Sequence, residues 1–128
     1  MTIPPDDLSS LLSQLAGEDY CYLTTTGRVS GKPHEIEIWF GLHERTLYML
    51  SGGRDQADWV RNIRKQPQVR LRIGKYHFQG TGHLVEAPGP EDELARKLLA
   101  DKYNEREADG SLDEWARTAL PVAIEIEE

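Results

Sequence analysis

Residues 20–50 read Tyr20-Cys21-Tyr22-Leu23-Thr24-Thr25-Thr26, then Gly27-Arg28-Val29-Ser30-Gly31-Lys32-Pro33, then His34-Glu35-Ile36-Glu37-Ile38-Trp39-Phe40-Gly41-Leu42, then His43-Glu44-Arg45 and Thr46-Leu47-Tyr48-Met49-Leu50. The first group is dense in β-branched and aromatic residues and predicts a strand. Two glycines and a proline make the second a loop. In the third, Ile36, Ile38 and Phe40 alternate with Glu35, Glu37 and Trp39, so one face is apolar and the other polar. A three-residue turn leads to a third strand over 46–50. Three strands joined by short connections form an antiparallel meander.

Outward from this stretch the pattern continues. Towards the N-terminus, Leu8, Leu11, Leu12 and Leu15 recur at helical spacing after Asp6 and Asp7, which can cap, and before Gly17, which stops the helix. Downstream, Ser51-Gly52-Gly53-Arg54 interrupts the sheet, and a helix is predicted from an Asp55 cap to Lys65, with Trp59, Val60 and Ile63 as its stripe. Strands follow over 69–73 and 76–85, the second carrying Gly80 and Gly82 as signs of a bulge or barrel bend. A helix after Pro88-Gly89-Pro90 bears Leu94, Leu98, Leu99 and Tyr103. Ser111-Leu112-Asp113-Glu114 reads as a capping box for a short helix with Trp115, and 122–126 alternates as a closing strand. The fold expected is mainly β with flanking helices: a six-stranded antiparallel barrel in one domain, residues 1–128. The order lacks the βαβα alternation of doubly wound nucleotide folds.

The chain's 128 residues suffice for one core. Its net charge of −7 is unevenly spread: −4 over residues 1–25, +5 over 26–75 and −8 over 76–128. An acidic chain is a poor nucleic-acid binder, because phosphate neutralisation needs a basic face. The positive middle suits a small anionic ligand, or is simply a solvated strand surface. No run of apolar residues reaches membrane-spanning length, and the N-terminus lacks the pattern of a secretory signal. One cysteine, Cys21, excludes an internal disulfide. A cytoplasmic location is expected.

Several motifs fail on inspection. Gly27 to Lys32 is one residue short of a phosphate-binding P-loop, and Pro33 stands where magnesium's Ser or Thr ligand belongs. Ser30 lacks the glycine that a nucleophile elbow needs two residues earlier. His34, His43, His77 and His83 are scattered, so no metal is expected. Two constellations survive. In the loop 27–34, glycine amides can point into a concavity, Arg28 can fork anion oxygens, Lys32 adds charge, and Ser30 and His34 add donors. A plain hairpin loop with solubilising charge is the alternative. In the segment 51–59, Ser51, Gly52 and Gly53 let backbone approach a flat group, with Asp58 and Trp59 opening the next helix.

The stretch Leu23-Thr24-Thr25-Thr26-Gly27-Arg28-Val29-Ser30-Gly31-Lys32-Pro33-His34 resembles the start of the deazaflavin (coenzyme F420)-dependent nitroreductase and quinone reductase family, which typically reads TTxGRxSGxPR. Ile36 to Phe40, Leu47 to Gly53, Asp58 to Asn62 and Pro67-Gln68-Val69 extend the likeness over roughly residues 20–85. The family lies within the split β-barrel group that also holds FMN-binding, pyridoxamine-phosphate-oxidase-like proteins. The resemblance implies a six-stranded split barrel whose Arg28, Ser30 and Lys32 meet the cofactor phosphate. His34 stands where the family usually has Arg, and it donates fewer hydrogen bonds. Ile36, Ile38 and the backbone near Trp39 match the strand under the deazaflavin ring. Ser51, Gly52 and Gly53 match the segment at the ring edge. Asp58, Trp59 and Asn62 match the helix signature, and Arg54, Arg61 and Arg64 are candidates for the anionic tail.

The implied activity is hydride transfer from reduced F420 to a conjugated acceptor: a quinone, enone or nitroaromatic. No catalytic side chain is implied. Tyr103 and Trp115 are candidates to cover the pocket. FMN is the alternative cofactor, since both carry a phosphate. A non-catalytic carrier and a barrel docking a protein partner through its acidic C-terminus are further readings. Split barrels commonly pair, so a homodimer with Trp39 at its interface is expected.

Overall fold

The computed structural model describes residues 5–127. Helix α1 (Pro5–Leu15) is followed by strands β1 (Cys21–Thr26), β2 (Pro33–Ile38), β3 (Gly41–His43) and β4 (Thr46–Ser51). A 3-10 turn (Arg54–Gln56) leads into α2 (Asp58–Lys65), then β5 (Gln68–Ile73), β6 (Tyr76–Leu84), α3 (Pro90–Tyr103), α4 (Glu114–Thr118) and β7 (Leu120–Ile126). All strand pairs are antiparallel, in the order β2-β1-β5-β6-β7-β4-β3. The outermost strands, β2 and β3, are joined only by Trp39 and Phe40. Three Cα steps span at most about 11 Å, so the sheet must curl until its two edges nearly meet. That is a split barrel.

The strand count is seven among the described residues, where the sequence predicts six. The predicted strand over 34–42 divides at Trp39-Phe40, because the chain there leaves one edge of the sheet for the other. Phe40 makes no ladder bonds at the crossing. Its N–H donates to the Tyr103 hydroxyl at 2.9 Å, and its carbonyl accepts from Lys102 Nζ at 2.9 Å. Two other boundaries shift. The helix predicted from an Asp55 cap starts at Asp58, after Ala57, without a side-chain cap. The capping role expected of Ser111 falls to Asp113, whose carboxylate accepts from the Ala116 N–H at 2.8 Å.

The burial pattern explains the layers. Along β1, Cys21, Leu23 and Thr25 point inward, and on β2 only Ile36 and Ile38 do so. Strand β4 is buried on both faces: Leu47 and Met49 enter the barrel, while Tyr48 and Leu50 pack under α3 with Ala95 and Leu99. Helix α1 contributes Leu8 and Leu12 to the barrel interior, each about 1.5–3 kcal/mol of apolar transfer. Gly80 and Gly82 mark close packing, with no bulge in the register. A Cβ on Gly80 would meet the Glu125 carbonyl oxygen at 2.8 Å and Ile124 Cγ2 at 2.6 Å. At Gly80 and Thr81, β6 passes from its pairing with β5 to its pairing with β7.

Burial also perturbs titration. It pushes the Cys21 thiol up to about 12 and the Tyr103 hydroxyl up to about 12, raises Tyr48 further, and lowers Lys102 to about 8. Each raised acid holds its proton in the folded chain where the unfolded chain has released it. Its contribution is complete below its ordinary value, 9.0 for Cys21 and 10.0 for the tyrosines, and is lost as pH rises. Lys102 acts oppositely between about 8 and its ordinary 10.5, where only the unfolded chain keeps the proton. Urea unfolding should therefore show a midpoint that peaks at about pH 9 and falls by about pH 11. Lys102→Met should remove the rise and Cys21→Ala should weaken the fall; a midpoint flat across this range would contradict the assignment.

Candidate functional site

The loop joining β1 to β2 closes on itself. The Gly27 N–H donates to the Lys32 carbonyl at 2.8 Å, the Gly31 N–H to the Gly27 carbonyl at 2.9 Å, and the Lys32 N–H to Ser30 Oγ at 3.2 Å. Gly31 has φ +73°, a conformation that favours glycine. Gly27 is needed for space: a Cβ there would lie 2.6 Å from Ser30 Oγ and 2.8 Å from His34 Nε2. Among the described residues, the Val29 and Ser30 amides and the Ser30 hydroxyl proton have no protein acceptor.

Helix α2 fixes this loop from beneath. Asn62, 3% exposed, accepts from the Arg28 N–H at 3.1 Å and from Arg28 Nη1 at 3.0 Å. Its own amide donates to Thr25 Oγ1 at 3.0 Å. Arg28 Nη2 lies 3.1 Å from Asp58 Oδ1. Arg28 thus spends two of its five side-chain donors on α2, leaving three for a ligand. A cavity of about 450 Å³ opens here, lined by Gly27, Arg28, Val29, Ser30, His34, Glu35, Ile36, Asp58, Trp59 and Asn62.

A second cavity, of about 370 Å³, lies further along β2 and is lined by Tyr20, Glu37, Ile38, Trp39, Leu50, Glu105 and Trp115. Ile36 faces the first cavity and Ile38 the second, and two residues along a strand span about 7 Å. Trp39 stacks on Tyr103 with ring centroids 4.2 Å apart and planes 1° from parallel, and meets Trp115 edge-on at 5.6 Å and 87°. The Tyr103 hydroxyl is held by the Asp19 carbonyl at 2.7 Å as well as by Phe40. Glu37 accepts from the Tyr22 hydroxyl at 3.0 Å. A hydrogen bond with Asp113 holds the Glu105 carboxyl above its usual range.

The predicted residues fall into three groups. Arg28, Ser30, His34, Ile36, Asp58 and Trp59 share the first cavity, and Ile38 and Trp39 border the second. Lys32 is exposed and outside both linings. Ser51 is buried, with its hydroxyl donating to the Arg54 carbonyl at 2.9 Å, so it closes its own turn. Gly52 sits beside Trp115, and the Arg54 guanidinium donates to the Thr118 carbonyl. Trp115 lines a cavity, whereas Tyr103 supports Trp39 from behind. Sequence reasoning left Tyr20, Glu37, Leu50 and Glu105 out of the site, and treated Asn62 as helix signature alone. Asn62 did carry a signal: a polar residue at the i+3 position from Trp59, on the apolar stripe of α2. Among the described residues, His83 joins Glu91 and Glu125, with ligand-type atoms within 4.8 Å of one another. Glu91 there already accepts from the Tyr48 hydroxyl at 2.8 Å.

The family described as F420H(2)-dependent quinone reductase matches residues 8–127. No curated protein sequence matches significantly. Among solved structures, an F420-H2 dependent reductase (FDR-A) is similar at 25% identity and TM-score 0.64, over 85% of this chain and 94% of that one. An F420 reductase is similar at 18% identity and TM-score 0.63, over 91% and 93%. HutZ, a heme storage protein from Vibrio cholerae, is similar at 15% identity and TM-score 0.72, over 94% and 91%. At such identities the last two likenesses speak for the fold alone. No helix among the described residues is long and apolar enough to cross a membrane.

Proposed function

The chain belongs to the F420H2-dependent quinone reductase family, and from that premise we propose that it binds F420 between its two cavities and reduces a conjugated acceptor: a quinone, enone or nitroaromatic. The observation that carries this reading is the course of β2. It runs from an anion cradle at Ile36 to an aromatic cavity at Ile38.

The residues present fit such a cofactor. The cradle that a Cβ on Gly27 would fill, the free Val29 and Ser30 amides, and the remaining Arg28 donors suit a phosphate. Ile36 and Ile38 offer apolar support for a flat ring. Arg61 and Arg64, exposed on α2, supply positive charge for a carboxylate-rich tail, Arg61 with one donor held by Gln56 Oε1; Arg54 is likewise held by the Thr118 carbonyl. When bound, reduced F420 supplies the hydride. The chain's own part is to bind and orient: Asn62 holds Arg28 in place, with Asp58 beside its guanidinium, and Trp39, backed by Tyr103, presents a ring face to an acceptor.

The deciding experiment is a fluorescence titration of the purified protein with F420 and with FMN. F420 should bind at least tenfold more tightly, because FMN has no oligoglutamate tail for Arg61 and Arg64. Tight FMN binding without F420 binding would move the protein to the flavin branch. Binding of F420 without turnover of any conjugated acceptor would make it a carrier.

A further inference from the structure

The aromatic cavity has a charge pattern that hydride transfer does not require. Its lining contains three aromatic residues (Tyr20, Trp39 and Trp115) and two ionisable acids (Glu37 and Glu105), with no Lys, Arg or His. The carboxyl of Asp113 backs Glu105. The cations on neighbouring segments stay out of the lining, Arg72 stacking over the Tyr22 ring at 4.0 Å. Lys102 Nζ donates to the Phe40 carbonyl at 2.9 Å and lies 3.6 Å from the Phe40 ring centre. Arg106 Nε pairs with Asp101 at 2.6 Å and its Nη1 donates to the Gly110 carbonyl at 2.8 Å. Arg54 is turned to the Thr118 carbonyl.

Aromatic faces set at right angles, with carboxylates at the rim, make an environment that attracts organic cations. The ring quadrupoles and the acids act with the same sign. We propose that the acceptor cavity selects a planar conjugated cation, such as an N-alkylated heteroaromatic ring, over a neutral ring of the same shape, and rejects a carboxylated one. This rests on the cavity being the acceptor site of the reductase reading above, but the preference itself is a property of the protein alone.

The test is a tryptophan-fluorescence titration without cofactor, using N-methylquinolinium, quinoline and 2-naphthoate as cationic, neutral and anionic probes. The expected order is quinolinium about tenfold tighter than quinoline, with naphthoate weakest. Glu37→Gln and Glu105→Gln should each weaken quinolinium several-fold and leave quinoline unchanged. Glu107→Gln, an exposed acid outside the cavity, makes the same change in net charge and should leave all three alone. Equal binding of the probes, or an effect of Glu107→Gln as large as that of the cavity variants, would overturn the proposal. F420 binding measured in parallel keeps the readings apart. If F420 binds and the cation preference is absent, only the charge selection fails; if the preference is present and F420 does not bind, the reductase reading fails.

Discussion

Asn62→Ala should lower the unfolding free energy by about 2–4 kcal/mol, moving the urea midpoint down by about 1–2 M. The side chain is 3% exposed and makes three hydrogen bonds, to the Arg28 N–H, to the Arg28 guanidinium and to Thr25 Oγ1. A neutral hydrogen bond contributes about 1 kcal/mol net and one to a charged group about 1.5–3. Truncation also strands the Arg28 amide in a part-buried position, which adds a desolvation cost. The damage is focused because this one amide ties three segments together: the buried face of β1, the loop after it and the helix α2. Asn62→Asp keeps the acceptor but loses the donor to Thr25, and should be intermediate. A loss under about 1 kcal/mol for Asn62→Ala would mean that the loop is held by its own backbone bonds instead.

The same residue shows what could be read from the sequence and what could not. The strands over 21–26, 46–51 and 68–73 were legible because a period-two pattern is local: each residue's face is set by its neighbours. The division of the strand at Trp39-Phe40 was not legible. Its alternation runs on unbroken, and the break is set by Tyr103 and Lys102, more than sixty residues later. The loop over 27–34 could be singled out because its glycines, Arg28 and Ser30 lie within five residues. The aromatic cavity gathers Tyr20, Glu37, Leu50, Glu105 and Trp115 from five separate segments, and no spacing rule reports such a meeting. Glu105 in particular looks like one more acid in a charged C-terminal third until Asp113 is placed against it. The Ser51-Gly52-Gly53 segment shows a different limit. Its glycines suggested contact with a ligand, while Ser51 turns its hydroxyl back to the Arg54 carbonyl and the neighbouring Leu50 reaches the cavity.

Arg28→Ala should weaken F420 binding by about 10–100-fold and lower stability by about 1–3 kcal/mol. The first figure follows from losing charge-assisted hydrogen bonds to an anion, about 1.5–3 kcal/mol. The second is set by the part-buried bond from Arg28 Nη1 to Asn62 Oδ1, because the Asp58 partner is 85% exposed and that pair contributes little in water. The backbone N–H of residue 28 still reaches Asn62 in the variant, so the loop keeps its anchor. FMN affinity should fall by a similar factor, because the phosphate is the shared feature; a loss confined to F420 would place Arg28 at the tail instead. Arg28→Lys retains the charge without the planar fork and should recover only part of the loss. Asp58→Asn supplies the opposite sign. It removes a carboxylate 3.1 Å from the guanidinium and frees a donor, so binding should tighten by about twofold at low salt and lose that gain as salt rises. If Asp58→Asn weakens binding as Arg28→Ala does, the carboxylate is an essential clamp that aims Arg28. If it tightens binding, Arg28 is already aimed by Asn62, and Asp58 only moderates its charge.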